Sequence, residues 1–292
     1  KSFLYLISKI ADNFHRTDNL FSRTDYILGH FKDDIKKNFS NSEIFQIFKN
    51  NKRVLLFLHE EEIMKIDEYV VKRIITGKYL KWKYPEYFSP EIKSFINEEW
   101  FPKYDSNDKN LQENSWVEAI KRELPTDFKE MRRKGENDNY ICELIRKDSI
   151  DDFVKYVNKK SFPISSTINP SIYETNSYLF KKAPTLIEYS LFFGSIQIFN
   201  YLRFNGVELT SSLWLYAIHG KNPEIIHILE ENEVEPEAKS NKEFKEALNK
   251  LYKDCLIESI KCHHNEFYKY IKEKCEDKVE ENKNIFKYYN FE

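Results

Sequence analysis

Residues 183–207 of this chain recur 27 positions downstream. Tyr189 meets Tyr216, Ser190 meets Ala217, Ile198 meets Ile225, Leu202 meets Leu229, Asn205 meets Asn232 and Val207 meets Val234. Self-similarity at a short fixed period marks stacked supersecondary units, none of which can bury its apolar face alone. Such an array supplies an extended surface; it does not name what binds there.

The second half of each unit is the clearer helix. Ile198, Phe199, Tyr201 and Leu202, and in the next copy Ile225, Ile226, Ile228 and Leu229, are apolar at the spacing of one helical face. The first half is shorter: Leu186, Ile187 and Ser190, then Leu213, Trp214 and Ala217. The small Ser190 and Ala217 allow close helix approach, and Trp214 aligns with Ile187 at a core position. Thr185 and Ser212 stand where an N-cap would satisfy free amides. Gly194 and Asn205-Gly206 follow the two helices, where a left-handed residue ends a helix cheaply. The unit therefore reads as helix, tight turn, helix, exit turn.

At these residues the unit resembles the ankyrin repeat. Thr185-Leu186-Ile187-Glu188-Tyr189-Ser190 stands where that repeat carries Thr-Pro-Leu-His-x-Ala, Gly194 matches its inter-helix glycine, and Asn205-Gly206-Val207 resembles its closing Asn-Gly-Ala. The wording of residues 212–227 and of Ser259-Ile260-Lys261-Cys262-His263-His264-Asn265 is similar to a domain of unknown function in large ankyrin families of trichomonad protists. Residues 139–149 and 168–176 resemble the segment that precedes it. The likeness covers about residues 135–275, and it implies divergent ankyrin-like repeats without an assigned activity.

The departures are informative. Ankyrin repeats run about 33 residues, so a 27-residue spacing leaves no room for the hairpin finger between Val207 and Ser212. The next copy is long, with Ala217 aligning to Ser259, and the excess falls in residues 235–254. There Ser240-Asn241-Lys242-Glu243 forms a capping-box pattern, and Phe244, Ala247, Leu248 and Leu251 line one face. This predicts an inserted helix. A weaker upstream copy places Phe153-Val154 and Tyr156-Val157 opposite Ile198-Phe199 and Tyr201-Leu202. The first-helix histidine of ankyrin repeats is Glu188 in one copy and Leu215 in the next, so its hydrogen-bond network does not transfer.

The expected fold is all-α, a helical-repeat solenoid of divergent ankyrin-like helix-turn-helix units. Residues 1–100 read as N-terminal degenerate helical repeats, 101–138 as a linker with a short helix, 139–275 as the ankyrin-like domain and 276–292 as a charged tail. Residues 1–38 suggest one or two amphipathic helices. Ile44, Phe45 and Phe48 form a helix face, Asn50-Asn51 a turn and residues 54–58 a buried second helix. Residues 66–75 and 91–96 suggest another pair, separated by an aromatic loop over 79–90. Residues 101–112 carry the best linker signal, residues 116–124 a short helix ended by Pro125, and residues 134–139 a further break.

Composition narrows the function. Apolar residues make up 41% of 292 positions and net charge is −2, enough for a core and too balanced for polyanion binding as the main activity. Six glycines and nine prolines disfavour a sheet-rich fold. No run of about 18 apolar residues suggests a membrane span. Four cysteines give no secreted-scaffold density, so a reducing cytoplasmic setting is expected. A start at Lys1 suggests a piece of a longer chain.

Cys255, Cys262, His263, His264 and Cys275 lack the clipped spacings of metal sites. No nucleophile elbow or phosphate-cradling glycine loop is present. Neither an enzyme nor a cofactor or metal is expected. Arg132-Arg133-Lys134 and Lys81-Trp82-Lys83-Tyr84 are basic, the second with the aromatic interleaving of a single-strand platform, but solvated lysines beside half-buried rings explain both, and no nucleic acid is expected. The remaining candidate is the concave face, where Tyr189, Phe192, Phe193, Tyr216 and His219 would anchor a protein partner; packing against a neighbouring repeat is the alternative for each Phe. The expected function is non-catalytic protein recognition. A structural arm of a longer protein is one rival, and a thiol- or metal-dependent enzyme using Cys255, Cys262, His263 and Cys275 is another.

Overall fold

The computed structural model describes residues 1–14, 19–76, 79, 83–95, 117, 120–275 and 281–288. Trp116, the linker over 101–112, the tail over 276–280 and 289–292, and Lys81-Trp82 lie outside them. Among the described residues every regular element is helical, and the only strand-like pairing is one antiparallel bridge between Thr167 and Thr185. In chain order the helices are α1 (Ser2–Asn13), α2 (Leu20–His30), α3 (Lys32–Asn38), α4 (Asn41–Phe48), α5 (Lys52–Glu60), α6 (Glu68–Ile74), α7 (Tyr84–Tyr87), α8 (Ser89–Ile92), α9 (Phe128–Lys134) and α10 (Tyr140–Arg146). They continue as α11 (Ile150–Lys160), α12 (Ser177–Lys182), α13 (Leu186–Phe193), α14 (Ile196–Phe204), α15 (Leu213–Gly220), α16 (Pro223–Glu231), α17 (Asn241–Lys261), α18 (Asn265–Lys274) and α19 (Glu281–Tyr288).

The chain forms two compact units. One comprises Phe21–Asp138 and Pro170–Lys181, the other Lys1–Leu20, Asn139–Asn169 and Lys182–Glu292. The N-terminal helix α1 therefore belongs with the C-terminal unit, and residues 170–181 belong with the N-terminal one.

In the unit built around 21–138, starts are set by caps. Ser40 and Glu43 form a reciprocal capping box on α4, and Asn51 and Asp67 accept from the first-turn amides of α5 and α6. Helix α5 packs on α4 and on α9. The aromatic loop expected over 79–90 is part of the core: Tyr84, Tyr87 and Phe88 are buried, and α7 and α8 shape that stretch.

The other unit is a succession of helix pairs: α10–α11, α13–α14, α15–α16 and α17–α18. First helices pack on first helices, α10 on α13, α13 on α15 and α15 on α17, and α11 also packs on α14. One turn joins the helices of every pair. The residue after, or next after, each first helix is left-handed: Asp148, Gly194, Lys221 and His263. In three of these turns an amide closes onto a carbonyl five residues back, Ser149 onto Leu144, Ser195 onto Ser190 and His264 onto Ser259, at 2.9–3.0 Å, the six-to-one bond of a Schellman turn. The exits repeat the device, with Ser161, Gly206 and Glu233 left-handed and Phe162, Val207 and Val234 closing onto Val157, Leu202 and Leu229.

The polar residue after each turn then ties its pair to the one before. Ser195 Oγ donates to Ile145 O at 2.6 Å, Asn222 Nδ2 to Gly194 O at 3.0 Å and His264 Nδ1 to Ile218 O at 3.1 Å. Thr185 caps α13 as its position suggests, in a capping box with Glu188. Ser212 does not cap α15; it is helical in backbone and its hydroxyl donates instead to Glu188 Oε1 of the preceding pair at 3.0 Å. The insert over 235–254 is not a separate helix either: it is the N-terminal half of the uninterrupted α17, started by Ser240.

A Cβ on Gly220 would stand 2.1 Å from Leu191 O and 2.9 Å from Gly194 N, against backbone that cannot swing away. Gly220→Ala is expected to lower stability by about 3 kcal/mol or more in chemical denaturation. Gly206, left-handed but with open space around it, should lose only about 1–2 kcal/mol as Gly206→Ala.

Candidate functional site

The five residues expected to line an open concave face are mostly interior. Tyr189 and Phe192 are 1% exposed, His219 2% and Tyr216 3%; only Phe193 is half-buried. They occupy the packed seam between successive first helices. The Tyr189 hydroxyl accepts from Arg146 of α10 at 2.9 Å, and Phe192 stacks on His219 of α15 with centroids 4.5 Å apart. Phe193 leans on both Tyr189 and Phe192. Burial, with Glu188 nearby, pushes the Tyr216 hydroxyl up from its ordinary pKa. The expectation of exposed aromatic anchors is corrected: with no finger and short first helices, these rings fill the space between pairs. Phe192→Ala should therefore act as a core lesion, costing about 3–5 kcal/mol in a denaturant melt.

His219 also joins a buried hydrogen-bonded chain linking α15 to α17. Its Nε2 lies 3.0 Å from Glu258 Oε1, and Lys261 Nζ donates to Glu258 Oε2 at 2.7 Å. Burial raises the Glu258 pKa, but the hydrogen bonds and charges of His219 and Lys261 outweigh it and hold the carboxyl down at about 2.

Two of the candidate thiols sit in the interior. Cys255 and Cys262 are buried at the C-terminal half of α17, and burial, reinforced by Glu258, raises both pKa values, Cys262 to about 12. A nucleophilic or ligating thiol needs the opposite shift. Among the described residues no three His, Cys, Asp or Glu side chains are grouped to hold a metal ion.

The run Arg132-Arg133-Lys134 is absorbed in ion pairs. Arg132 is buried and donates to both oxygens of Glu91 at 2.8–2.9 Å, Arg133 meets Glu60 at 3.1 Å and Lys134 meets Glu130 at 2.9 Å. In the other run Tyr84 is buried with its hydroxyl donating to Lys49 O. Among the described residues no helix is long and apolar enough to cross a membrane.

A concavity does exist, at a different place. A cleft of about 160 Å³ opens between the end of α16, the turn over 233–235, the N-terminal half of α17 and α18. Its floor is Trp214, Leu229, Val234 and Ile271, all buried. Trp214 is held in place by Nε1 donating to Val234 O at 2.7 Å. Its overhang is Leu248, Leu251 and Tyr252, and its charged rim is Glu230, Glu233, Glu235 and Lys274. Glu230 and Lys274 pair at 2.6 Å. Glu233 and Glu235 stand exposed, and neither has an ion-pair partner among the described residues. The apolar face of the insert was visible in the sequence; that it stays half-covered, with Phe244, Ala247, Leu248 and Leu251 all intermediate in exposure, was not.

The sequence reading also missed Lys52, 2% exposed in the first turn of α5. Its ammonium lies 5.1 Å from the Tyr87 ring centre and 5.7 Å from that of Phe180. Burial lowers its pKa to about 7, against the opposing pull of Glu174 and Glu86. The signal was its place on the same helical face as Leu55 and Leu56.

No family model, curated protein or solved structure matches the chain.

The Lys52 shift carries a pH signature. Below pH 7 the amine is protonated in both folded and unfolded chains and the burial penalty is complete; as pH rises from about 7 toward 10.5 the folded state alone releases the proton and the penalty shrinks. Lys52→Met should therefore be more stable than the parent by several kcal/mol (roughly 4) at pH 7, with the gap narrowing as pH rises to 8.5. Paired urea melts at the two pH values measure it; a gap independent of pH would show that the amine is charged in the fold.

Proposed function

We propose that this chain is a non-catalytic protein-recognition module, an ankyrin-like helical solenoid of the kind its sequence resembles in trichomonad ankyrin families, working in the cytoplasm. The observation that carries the reading is the recurrence of one construction: four helix pairs joined by the same left-handed turn, with three successive turns tied to the preceding pair by a side-chain hydrogen bond. Units that contact chiefly their neighbours form a scaffold whose surface can vary freely while the stack persists. The buried thiols of Cys255 and Cys262 and the ion-paired run Arg132-Arg133-Lys134 support surface recognition over the rival readings. Four free cysteines support a reducing compartment.

Recognition here differs from the finger-and-groove expectation. The first-helix aromatics hold the stack together, so partner contact falls to exposed surfaces of the pairs and of the insert. A specific complex should bury more than about 1,000 Å² in total.

Chemical cross-linking of the full chain in extract of its own cells, followed by mass spectrometry of retained proteins, tests this. The expected result is a small set of proteins retained by the native chain, lost on heat denaturation, with cross-links concentrated in residues 139–275. Retention of the same proteins by native and denatured chain, or of none by the native chain, would overturn the reading.

A further inference from the structure

We infer that the cleft beneath the insert is a docking site for a basic amphipathic helix of a partner protein, a proposal that rests on the recognition reading above. The first argument is shape. Helix α17 starts about four turns before the part of it that packs in the core: its buried residues begin at Cys255, whereas Phe244, Ala247, Leu248 and Leu251 are only half-covered. Phe244, Leu248 and Leu251 follow one another at i, i+4 and i+7, a stripe about 10 Å long. Such a stripe is what a second helix reads in helix-on-groove recognition. At its end the stripe runs into the cleft, floored by Trp214, Val234 and Ile271. Its volume of about 160 Å³ is close to that of cavities that take up a single benzene ring. The cleft therefore accepts one large apolar side chain as an anchor, with the stripe seating the turns that follow.

The second argument is charge. Of the four charged side chains on the rim, Glu230 and Lys274 neutralise each other at 2.6 Å. Glu233 and Glu235 remain, exposed and without an ion-pair partner among the described residues. Glu233 is presented by a left-handed backbone with φ 48°, in the exit turn whose amide bond from Val234 to Leu229 also forms the cleft wall. Two carboxylates held at the lip of an apolar slot select a ligand with lysine or arginine flanking its apolar face and disfavour an acidic one.

The probe is a fluorescein-labelled helical peptide of about five turns, with leucine at i, i+4 and i+7 and lysine elsewhere, titrated with the full chain by anisotropy; a peptide with glutamate in place of lysine is the control. The expected result is binding of the lysine peptide alone, weakened about tenfold or more by the Glu233→Lys/Glu235→Lys variant and by Leu248→Asp, each variant first shown to keep the parent's melting temperature. Equal binding of both peptides, no binding of the lysine peptide, or equal affinity of parent and charge-reversed chain overturns the proposal. Sedimentation that reveals a dimer of the chain dissolved by Leu248→Asp also overturns it, in favour of a second copy in the cleft. Cross-linking of the same variants separates the two levels. Proteins retained equally by parent and variants remove the cleft and leave the recognition reading standing, whereas no protein retained by the parent removes both.

Discussion

The C-terminal unit depends on how closely the backbones of α13 and α15 approach at their last turns. The space a methyl group would need at Gly220 is already occupied by Leu191 O and Gly194 N. That closeness brings Gly194 O within reach of Asn222, and the neighbouring turns follow the same arrangement, Ser195 reaching Ile145 and His264 reaching Ile218. Each of these bonds satisfies a carbonyl at a helix end, where intrahelical partners run out. The stack thus solves a local problem of α10, α13 and α15, their unpaired C-terminal carbonyls, with a side chain from the next pair. Order between pairs comes from helix termination itself.

Against that framework the buried ions act as address labels more than as stabilisers. An ion pair removed from water roughly breaks even with a well-packed apolar substitute, while loss of one partner costs several kcal/mol. Glu258 meets His219 from the preceding pair and Lys261 from its own helix, so a slip of α17 along α15 would strand a carboxylate in the interior. The side chains that an ankyrin-like groove would have offered to a partner are employed in this seam. That is the physical reason the expected anchors are buried: the first helices pack closely, and the rings of Tyr189, Phe192 and Tyr216 fill the space between them.

Much of this was legible in the residues and part of it could not be. The helix periods of Ile198–Leu202 and Ile225–Leu229, the N-cap Thr185 and the turn at Gly194 all signal themselves, because apolar spacing, cap chemistry and glycine each have a sequence signature. The equivalent turns at Asp148, Lys221 and His263 adopt the same left-handed backbone with residues that carry no such signature, so the recurrence of the turn is hidden. Ser212 looks like a cap and serves as a cross-pair donor. Lys52 looks like a solvated lysine and lies under two rings. The direction in which the first-helix aromatics face was decided by the spacing between pairs, a tertiary quantity that a repeat alignment does not contain.

The insert shows why a cleft forms where it does. A helix that begins early must either meet apolar cover or pay for an exposed apolar stripe. In the first four pairs' common plan, α17 occupies the position that α13 and α15 occupy, and its C-terminal half is buried as theirs are. Opposite the middle of the helix, at Leu248, Leu251 and Tyr252, stand the exit turn after α16 and residues of α18. Trp214 fixes one side of the gap by donating its indole N–H to Val234 O of the exit turn. A chain selected only for stability would close such a gap with a larger side chain at Val234 or a shorter insert, since uncovered leucines contribute little to folding. Keeping the stripe, the slot and two carboxylates without an ion-pair partner among the described residues together is the arrangement expected of a surface whose cover arrives from another molecule.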